Sequence, residues 1–413
     1  MNTPSQHILD LLDAEGLVTF VQRLVQTPSV FLPNVQGANE EAAAQLVFDL
    51  LDEWNLHPVR EYVALGRPNV IAELQGALGD GPLLLFEGHT DVVTPGDRAQ
   101  WTGDPFAGLI ENGRLYGRGA ADMKGGVGAM LFAVRALQLA GAPFRGRIRL
   151  LVPVDEEGLM LGVKHMVAQG HAEGAAGALI CEPEEREVCL ASKGALRLRL
   201  VSYGRIAHGA MPEEGVNALA AMVRLLARIL DLEADLQRIH GVHPLLGKPY
   251  ISPTVARAPL SGDTSQINCL PDVCDAYLDI RTVPAIVHGE LVRQVRAIMA
   301  DLCSAFPAYR FELEIIDDRP AVEIAADHPL VAAVVAGHEQ VYGARPVWGG
   351  VPGSTDGTIL ARDAGVPVVV YGPGHKRIPH QPDEFVEVDE IVRAAQVYIV
   401  AAITFLGQEE PRS

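Results

Sequence analysis

Cysteine is scarce in this chain, and its few cysteines form no recognisable pattern. The 413 residues include 5 cysteines, an odd number without a Cys-x-x-Cys pair: Cys181, Cys189, Cys269, Cys274 and Cys303. This spacing argues against a disulfide framework and against a thiolate zinc site. It favours a reducing cytoplasm. The N-terminal residues contain neither a basic region nor an apolar segment, so we expect no secretory signal.

Basic residues are also in short supply. The chain has 33 Lys+Arg against 52 Asp+Glu, a formal net charge of -19. Nucleic acids and anionic membrane surfaces both require a basic face on the protein, so neither is expected as a partner. Long apolar runs are missing as well. The longest, residues 397–406, is too short to span a bilayer and predicts a core helix.

The remaining composition is that of a globular protein, with 48% hydrophobic and 21% charged residues. Its length allows two or three domains of roughly 150 residues each. Both ends of the chain alternate helical periodicity with short apolar runs, which indicates an α/β fold. The predicted helices are 8–25, 39–54, one after Gly125, 163–168, 331–340 and a C-terminal helix, and the predicted strands are 69–74, 83–87, 148–154, 178–181 and 366–371.

The middle of the chain has a different pattern. Residues 195–203 alternate apolar and polar side chains, as in a strand with one solvated face. The segments that follow are a helix at 216–236, strands at 251–256 and 273–281, a helix at 289–302 and a strand at 309–316. This βαββαβ order predicts an inserted α+β, ferredoxin-like domain at 193–318. The first domain would then comprise 1–192 and 319–413.

Polar side chains follow several of the predicted buried strands. His89 and Asp91 come after the strand at 83–87, and Glu182 ends the strand at 178–181. The doublet Glu156-Glu157 follows the strand at 148–154. In α/β sheets the carboxyl ends of the strands form the functional edge, so these side chains are candidates for one site. The alternatives are a buried His–Asp hydrogen bond and a solvated acidic cluster.

Asp122 is the central candidate. It lies between two glycine pairs in Gly117–Gly126, so the backbone can approach another group closely on both sides. The alternative is that Asp122 only caps the helix that follows. A late loop contributes two histidines, His375 and His380, and their positions alone do not decide between them.

These residue types predict a metal site. Imidazole and carboxylate ligands without thiolate suit zinc best, and manganese or cobalt would also be accepted. Two histidines and three carboxylates, one of them bridging, could hold two ions about 3.5 to 4 Å apart. Such a pair would activate a water molecule and polarise a carbonyl group. Glu156 and Glu157 offer one carboxylate for the metal and one for proton transfer.

Five motifs together resemble the M20 metallopeptidase family, within it the branch of acetylornithine deacetylase, succinyl-diaminopimelate desuccinylase and related carboxypeptidases. They are Gly-His-Thr-Asp-Val-Val at 88–93, Gly-Arg-Gly-Ala-Ala-Asp-Met-Lys-Gly-Gly at 117–126, Asp-Glu-Glu-Gly at 155–158, Glu-Pro at 182–183 and His-Gln-Pro-Asp-Glu at 380–384. The resemblance covers nearly the whole chain. It implies a mixed-sheet catalytic domain with two zinc ions per subunit and an inserted lid and dimerisation domain.

The resemblance also implies which residues bind the metals. One ion would be held by His89, Asp122 and Glu182, and the other by Asp122, Glu157 and His380. His380 is preferred to His375 here because it precedes Gln-Pro-Asp-Glu. Two further roles follow in the same way: Glu156 would be the general base and later the acid, and Asp91 would orient His89.

In the inserted domain, His208 resembles the family histidine that stabilises the developing oxyanion, which dimeric members take from the neighbouring subunit. A homodimer is therefore expected. The residues that resemble substrate contacts are Asn268, Arg281, Gly353, Ser354 and Thr355. His208 could instead be an ordinary loop histidine, and Arg281 a salt-bridge partner. The order Ser354-Thr355 reverses the Thr-Ser common in the desuccinylases, and the Thr-Glu of many ornithine deacetylases is absent.

The function expected from the sequence is hydrolysis of the amide bond of an N-acyl amino acid of the acetylornithine or succinyl-diaminopimelate type. One alternative is a carboxypeptidase or dipeptidase that acts on short or carrier-linked peptides. A protein that binds metal or peptide without catalysis is a more distant alternative, and a two-metal phosphatase is a weaker one. The free carboxylate of Glu156 argues against a protein that only binds, because such a protein has no use for it.

Overall fold

The computed structural model describes residues 4–259 and 266–407. These described residues divide into two compact units. The first comprises Met1–Leu190, Ile324–Gly350 and Thr355–Ser413, and the second comprises Ala191–Glu323 and Val351–Ser354. None of the described helices combines the length and the apolar character that crossing a membrane requires.

The described helices are α1 (Pro4–Leu9), α2 (Ala14–Val25), α3 (Glu41–Glu53), α4 (Gly125–Leu139), α5 (Leu161–Ala168), α6 (Ala218–His240), α7 (His288–Ala305), α8 (Pro329–Tyr342), α9 (Gly357–Ala364) and α10 (Val388–Leu406). The single helix predicted at 8–25 is wrong, because α1 and α2 are separate. The side chain of Asp13 accepts a hydrogen bond from the backbone N–H of Gly16 and so begins α2 as its N-cap.

The described strands are β1 (Val59–Ala64), β2 (Arg67–Gln75), β3 (Leu83–Glu87), β4 (Leu109–Glu111), β5 (Arg114–Tyr116), β6 (Arg147–Val152), β7 (Ala175–Ile180), β8 (Val188–Ser192), β9 (Gly194–Tyr203), β10 (Ala207–His208), β11 (Tyr250–Arg257), β12 (Cys269–Leu270), β13 (Val273–Thr282), β14 (Arg310–Arg319), β15 (Val322–Glu323), β16 (Trp348–Val351), β17 (Val368–Val370) and β18 (Phe385–Glu387).

The main sheet of the first unit has the order β1-β2-β6-β3-β7-β17-β8, and β16 also pairs with β8. It is a mixed sheet, because β3 runs parallel to β6 and β7 whereas β2 and β6 are antiparallel. Every residue of β3 is buried, as its continuous apolar sequence predicts for a central strand covered on both faces. The carboxyl ends of β3, β6 and β7 therefore lie side by side.

The second unit contains a four-stranded antiparallel sheet in the order β11-β13-β9-β14. Along the chain its elements follow as β9, α6, β11, β13, α7 and β14. Apolar side chains from the sheet, such as Leu198 and Ile280, share one core with Met222 of α6 and Val295 of α7. The predicted ferredoxin-like pattern is thereby confirmed. The short strand β15 pairs with residues 191–192 at the end of β8.

Gly126 shows why α4 needs a glycine in its first turn. A Cβ at this position would overlap the backbone carbonyl oxygen of Cys181, directly before Glu182. We therefore predict that Gly126→Ala lowers the free energy of unfolding by about 1–3 kcal/mol, the usual cost of overpacking. Gly103→Ala is the control, because a Cβ there meets nothing within 4 Å. Urea unfolding of both variants measures the difference, and an equal small effect would contradict the prediction.

Candidate metal centre

His89 lies just beyond the end of β3 and is completely buried. Its Nδ1 is 3.0 Å from the backbone carbonyl oxygen of Asp91. A carbonyl oxygen only accepts, so this contact requires a proton on Nδ1 and leaves the lone pair of Nε2 directed outward. Among the described residues, this Nε2 has no hydrogen-bond partner. It faces carboxylates instead, at 3.3 Å from Asp122 Oδ1 and 3.5 Å from Glu182 Oε1.

Asp122 lies between two imidazoles. Its Oδ1 faces His89, and its Oδ2 is 3.4 Å from His380 Nε2. The backbone of Asp122 leaves helical geometry at this point, with φ -117° and ψ 98°. The hypothesis that Asp122 merely caps the next helix is wrong, because Lys124 occupies the cap position of α4 and no side chain caps it. Asp122 therefore presents one oxygen to each histidine, which is the arrangement of a bridging ligand.

Two groups of potential ligands share Asp122. His89, Asp122 and Glu182 form one, and Asp122, Glu157 and His380 form the other; within each, the ligand atoms lie within 4.8 Å of one another. Glu157 Oε1 is 2.9 Å from His380 Nε2. His375 takes no part, since its Nδ1 pairs with Glu185 at 2.5 Å. All five of these potential ligands belong to the first unit.

Glu156 is close to the two groups but outside both. Its carboxylate is buried, and Oε2 is 3.9 Å from His89 Nε2. Burial raises the pKa of Glu156 well above its ordinary value, and the charges of Glu182, Asp356 and Glu157 act in the same direction, against the opposing effect of His89. A carboxylate in these surroundings holds a proton more readily than an exposed one.

The pKa values of the proposed ligands reflect the high density of negative charge around them. Burial and the charge of Asp122 raise the pKa of Glu182 to about 7. Hydrogen bonds with Asp122 and Glu157 raise the pKa of His380 to about 10, against the effect of burial. Burial alone would raise the pKa of Asp122, but its contacts with His380 and His89 lower it. Such a cluster calls for cations, and its nitrogen and oxygen donors with the outward lone pair of His89 fit zinc.

Asp91 connects His89 with the two glutamates. Its carboxylate accepts hydrogen bonds from the backbone N–H of Glu156 at 3.2 Å and of Glu157 at 3.0 Å. The same carboxylate is 3.5 Å from His89 Nδ1. Asp91 therefore faces the imidazole, as the sequence predicts, and also fixes the backbone of Glu156 and Glu157. No spacing rule could have revealed this second contact.

A buried ion cluster holds the Glu156 loop from the opposite side. Arg67 pairs with Glu40 through several hydrogen bonds and donates to Asp155 Oδ1 at 2.7 Å. The other oxygen of Asp155 accepts from the backbone N–H of Leu159 at 3.0 Å. Asp155 directly precedes Glu156 and has φ +70°, a conformation that non-glycine residues rarely adopt. Sequence reasoning missed this cluster because its members are far apart in the chain.

A three-stranded sheet, β18-β5-β4, brings the segments of Asp122 and His380 together. Strands β5 and β18 are antiparallel, with Tyr116 opposite Phe385. The chain leaves β5 towards Asp122 and enters β18 from the loop of His380, so both loops start at the same end of this ladder. Each strand has three residues, too few to show a period in the sequence.

The site residues predicted in the inserted domain, His208, Asn268 and Arg281, lie in the second unit. His208 is exposed in β10, where it pairs with Cys269, and Asn268 directly precedes β12. The structure thus brings His208 and Asn268 to one place. Arg281 donates to both carboxylate oxygens of Asp279, at 2.6 and 3.1 Å, so the salt-bridge alternative describes its contacts. Gly353 and Ser354 belong to the second unit, and Thr355 lies buried in the first.

Known proteins resemble this chain in sequence and in fold. The sequence profile of peptidase family M20/M25/M40 matches residues 85–403. Acetylornithine deacetylase of Proteus mirabilis (strain HI4320) is 30% identical over 383 residues, which cover 90% of this chain and 92% of that protein. A probable succinyl-diaminopimelate desuccinylase of Staphylococcus epidermidis is 27% identical over 391 residues, which cover 88% and 92%.

A solved structure supports the fold. The M20 family metallo-carboxypeptidase Sso-CP2 of Sulfolobus solfataricus matches with a TM-score of 0.77 at 18% sequence identity, and the match covers 95% of this chain and 99% of that one. At this identity the likeness concerns the fold alone. Together these matches confirm the resemblance and the fold class predicted from the sequence.

The Arg67 cluster provides a test of what holds the site. Replacing Arg67 by Met leaves the buried carboxylates of Glu40 and Asp155 without their cation, so we expect the free energy of unfolding to fall by about 3–5 kcal/mol. Adding Glu40→Gln should restore part of this loss, because one uncompensated charge disappears. Arg98→Met removes an exposed pair with Asp104 and serves as the control, with no measurable change expected. Equal effects of Arg67→Met and Arg98→Met in urea unfolding would contradict this account.

Proposed function

The chain belongs to peptidase family M20/M25/M40 and is a metal-dependent hydrolase, and from this premise we propose that it cleaves the amide bond that joins an acyl group to an amino acid. The observation that carries the proposal is Asp122, whose two oxygens face two different imidazoles. Similarity to a deacetylase and a probable desuccinylase supports an N-acyl amino acid as the substrate.

Two zinc ions per subunit are proposed as the cofactor, with cobalt or manganese as substitutes. His89, Asp122 and Glu182 would hold one ion, and Asp122, Glu157 and His380 the other, since the donor atoms of each group lie within 4.8 Å of one another and the two groups share Asp122. When bound, the ions would supply Lewis acidity and lower the pKa of a water molecule towards neutrality. The complete burial of His89 and the outward lone pair of its Nε2 support this assignment.

Glu156 is proposed as the general base and acid. It is buried beside both ligand groups without belonging to either. Its carboxylate would take a proton from the attacking water and return it to the nitrogen of the departing amine. The raised pKa of Glu156 suits this double task, because the carboxylate must hold a proton between the two steps. Asp91 would keep the proton of His89 on Nδ1.

Six further residues are proposed as substrate contacts, five in the second unit and Thr355 in the first. His208 would donate a hydrogen bond to the oxyanion, a role that suits an exposed histidine held by a short strand pair. Asn268 and Arg281 would bind the substrate carboxylate, together with Gly353, Ser354 and Thr355. Arg281 would then share its guanidinium between the substrate and Asp279, to which it already donates.

A cytoplasmic homodimer is proposed as the working form. Five cysteines that are all free suit a reducing compartment. Strands β11 and β14 form the edges of the second unit's sheet, and β11 is exposed over most of its length. An exposed edge strand offers unpaired backbone groups to a second chain.

The proposed reaction is tested by hydrolysis of a panel of N-acyl amino acids and dipeptides with zinc-loaded protein, and with chelator-treated protein as the control. We expect one class of N-acyl amino acid to release amine and the chelator to abolish this release. Hydrolysis of dipeptides alone would favour the carboxypeptidase or dipeptidase alternative. No hydrolysis by protein that contains two zinc ions would refute the proposed reaction on these substrates.

Glu156→Gln tests the proposed base. The amide cannot accept the proton, so we expect kcat to fall by about 10²–10⁴-fold while the zinc content is unchanged. Glu185→Gln is the matched control, because Glu185 contacts His375 and lies outside both ligand groups. It should keep its zinc and most of its activity. Retained turnover in Glu156→Gln would exclude Glu156 as the base.

A further inference from the structure

Glu384 is a buried carboxylate to which the proposed function gives no role. Its Oε1 accepts hydrogen bonds from three backbone N–H groups, those of Gly119 at 3.0 Å, Ala121 at 3.0 Å and Asp122 at 3.2 Å. Its Oε2 accepts from the guanidinium of Arg118. One side chain therefore binds most of the segment that ends in the central ligand.

The position of Glu384 in the chain joins two ligands. It lies in the same loop as His380 and directly precedes β18, which pairs with β5. Its backbone carbonyl oxygen accepts from the N–H of Gly117 at 2.8 Å, so the ladder continues one step past the strands. The side chain then reaches across to Asp122. Glu384 thus couples the loop of His380 to the loop of Asp122 through both main chain and side chain.

The segment needs such a partner because it does not follow regular helical geometry. Gly119 has φ +86°, and Asp122 and Met123 have non-helical backbone angles. Backbone N–H groups that are buried in irregular structure must find acceptors elsewhere. Glu384 supplies the acceptor for Gly119, Ala121 and Asp122, and Asp122 can then direct one oxygen to each histidine.

Neutralising the charge of Arg118 does not explain all the contacts of Glu384. Arg118 also lies over the ring of Trp101, with 5.2 Å from its guanidinium carbon to the ring centroid. A carboxylate needed only to neutralise Arg118 would not have to accept from the backbone N–H groups of Gly119, Ala121 and Asp122 with its second oxygen. Asp383, the preceding residue, faces elsewhere and accepts from Thr102.

We propose that Glu384 is a positioning residue that sets the backbone of residues 119–122 so that Asp122 can bridge the two proposed metal positions. This inference rests on the proposed function for the role of Asp122. Glu384 itself touches neither substrate nor metal in this proposal. It acts through the hydrogen bonds to Gly119, Ala121 and Asp122.

The test compares Glu384→Gln and Glu384→Asp with the unchanged protein. Gln has one acceptor oxygen and one NH2 group, so it cannot accept from both the backbone amides and Arg118. Asp keeps the charge but is one methylene shorter and cannot reach the same amides. Glu73→Gln is the matched control, because it also removes a carboxylate that accepts two hydrogen bonds from an arginine, Arg149, at 3.0 and 2.7 Å, away from the ligand loops.

The first readout is amide hydrogen exchange of residues 119–122 in metal-free protein, which does not depend on activity. We expect exchange at least tenfold faster in both Glu384 variants and unchanged in Glu73→Gln. The second readout is zinc stoichiometry under buffered Zn²⁺, where the affinity for the second equivalent should fall at least tenfold. In N-acyl amino acid hydrolysis, kcat should fall while KM stays within about twofold, since no substrate contact is lost.

Unchanged exchange and two zinc ions bound as tightly as in the parent protein would overturn the proposal. If Glu384 contributes to stability alone, its variants should have a lower unfolding midpoint, with the affinity for the second zinc ion and the kcat of the folded protein unchanged. That result would also overturn the proposal. If Glu384→Gln does not fold, Glu384→Asp carries the same test. Failure of the proposed function is a separate result, because the parent protein would then lack two zinc ions or activity whatever the exchange rates are.

Discussion

Negative charge buried around one imidazole is the constraint on which the rest of the structure depends. The carboxylates whose charges act on this region are Glu87, Asp122, Glu156, Glu157, Glu182 and Asp356. The imidazoles of His89 and His380 lie among them. Carboxylates at this density cannot all remain ionised in a buried place unless cations are present. Burial and the charges of neighbouring carboxylates raise the pKa values of Glu156 and Glu182, so bound protons compensate part of this charge in the protein alone. Metal ions would take over that task.

Repelling carboxylates have to be held in place, and the chain does this with hydrogen bonds to the backbone of the two glutamates and to the side chain of Asp155. Asp91 accepts the backbone N–H groups of Glu156 and Glu157, so both glutamates are fixed through the main chain. Asp155 is anchored in turn by Arg67. Backbone donors suit this purpose because their positions are set by the fold and they carry no net charge. The carboxylates of the site thus remain free to bind cations while their backbones stay fixed.

The sequence predicts those parts of this arrangement that depend on long apolar segments. Strand β3 appears at its predicted bounds, and His89 and Glu182 lie at strand ends as the α/β pattern indicates. The segment 366–371 is strand only at 368–370, since its ends join loops of the site. Sequence periodicity does not reveal very short strands or contacts between segments that are far apart in the chain. The three-residue strands β5 and β18 have no measurable period, and the contact of Arg67 with Asp155 joins residues from distant segments. The choice between His375 and His380 likewise depends on which loop residue faces Asp122.

The Asp155-Glu156-Glu157 sequence shows how one short motif can supply two different functions. Adjacent residues normally point in different directions, and the left-handed backbone at Asp155 fixes where the next two begin. Asp91 then binds the N–H groups of both glutamates and so fixes the backbone from which each side chain extends. As a result, Glu157 reaches His380 at 2.9 Å, whereas Glu156 stays 3.9 Å from His89. The difference between a proposed ligand and a proposed base therefore follows from the turn that carries them, since the two side chains are chemically identical.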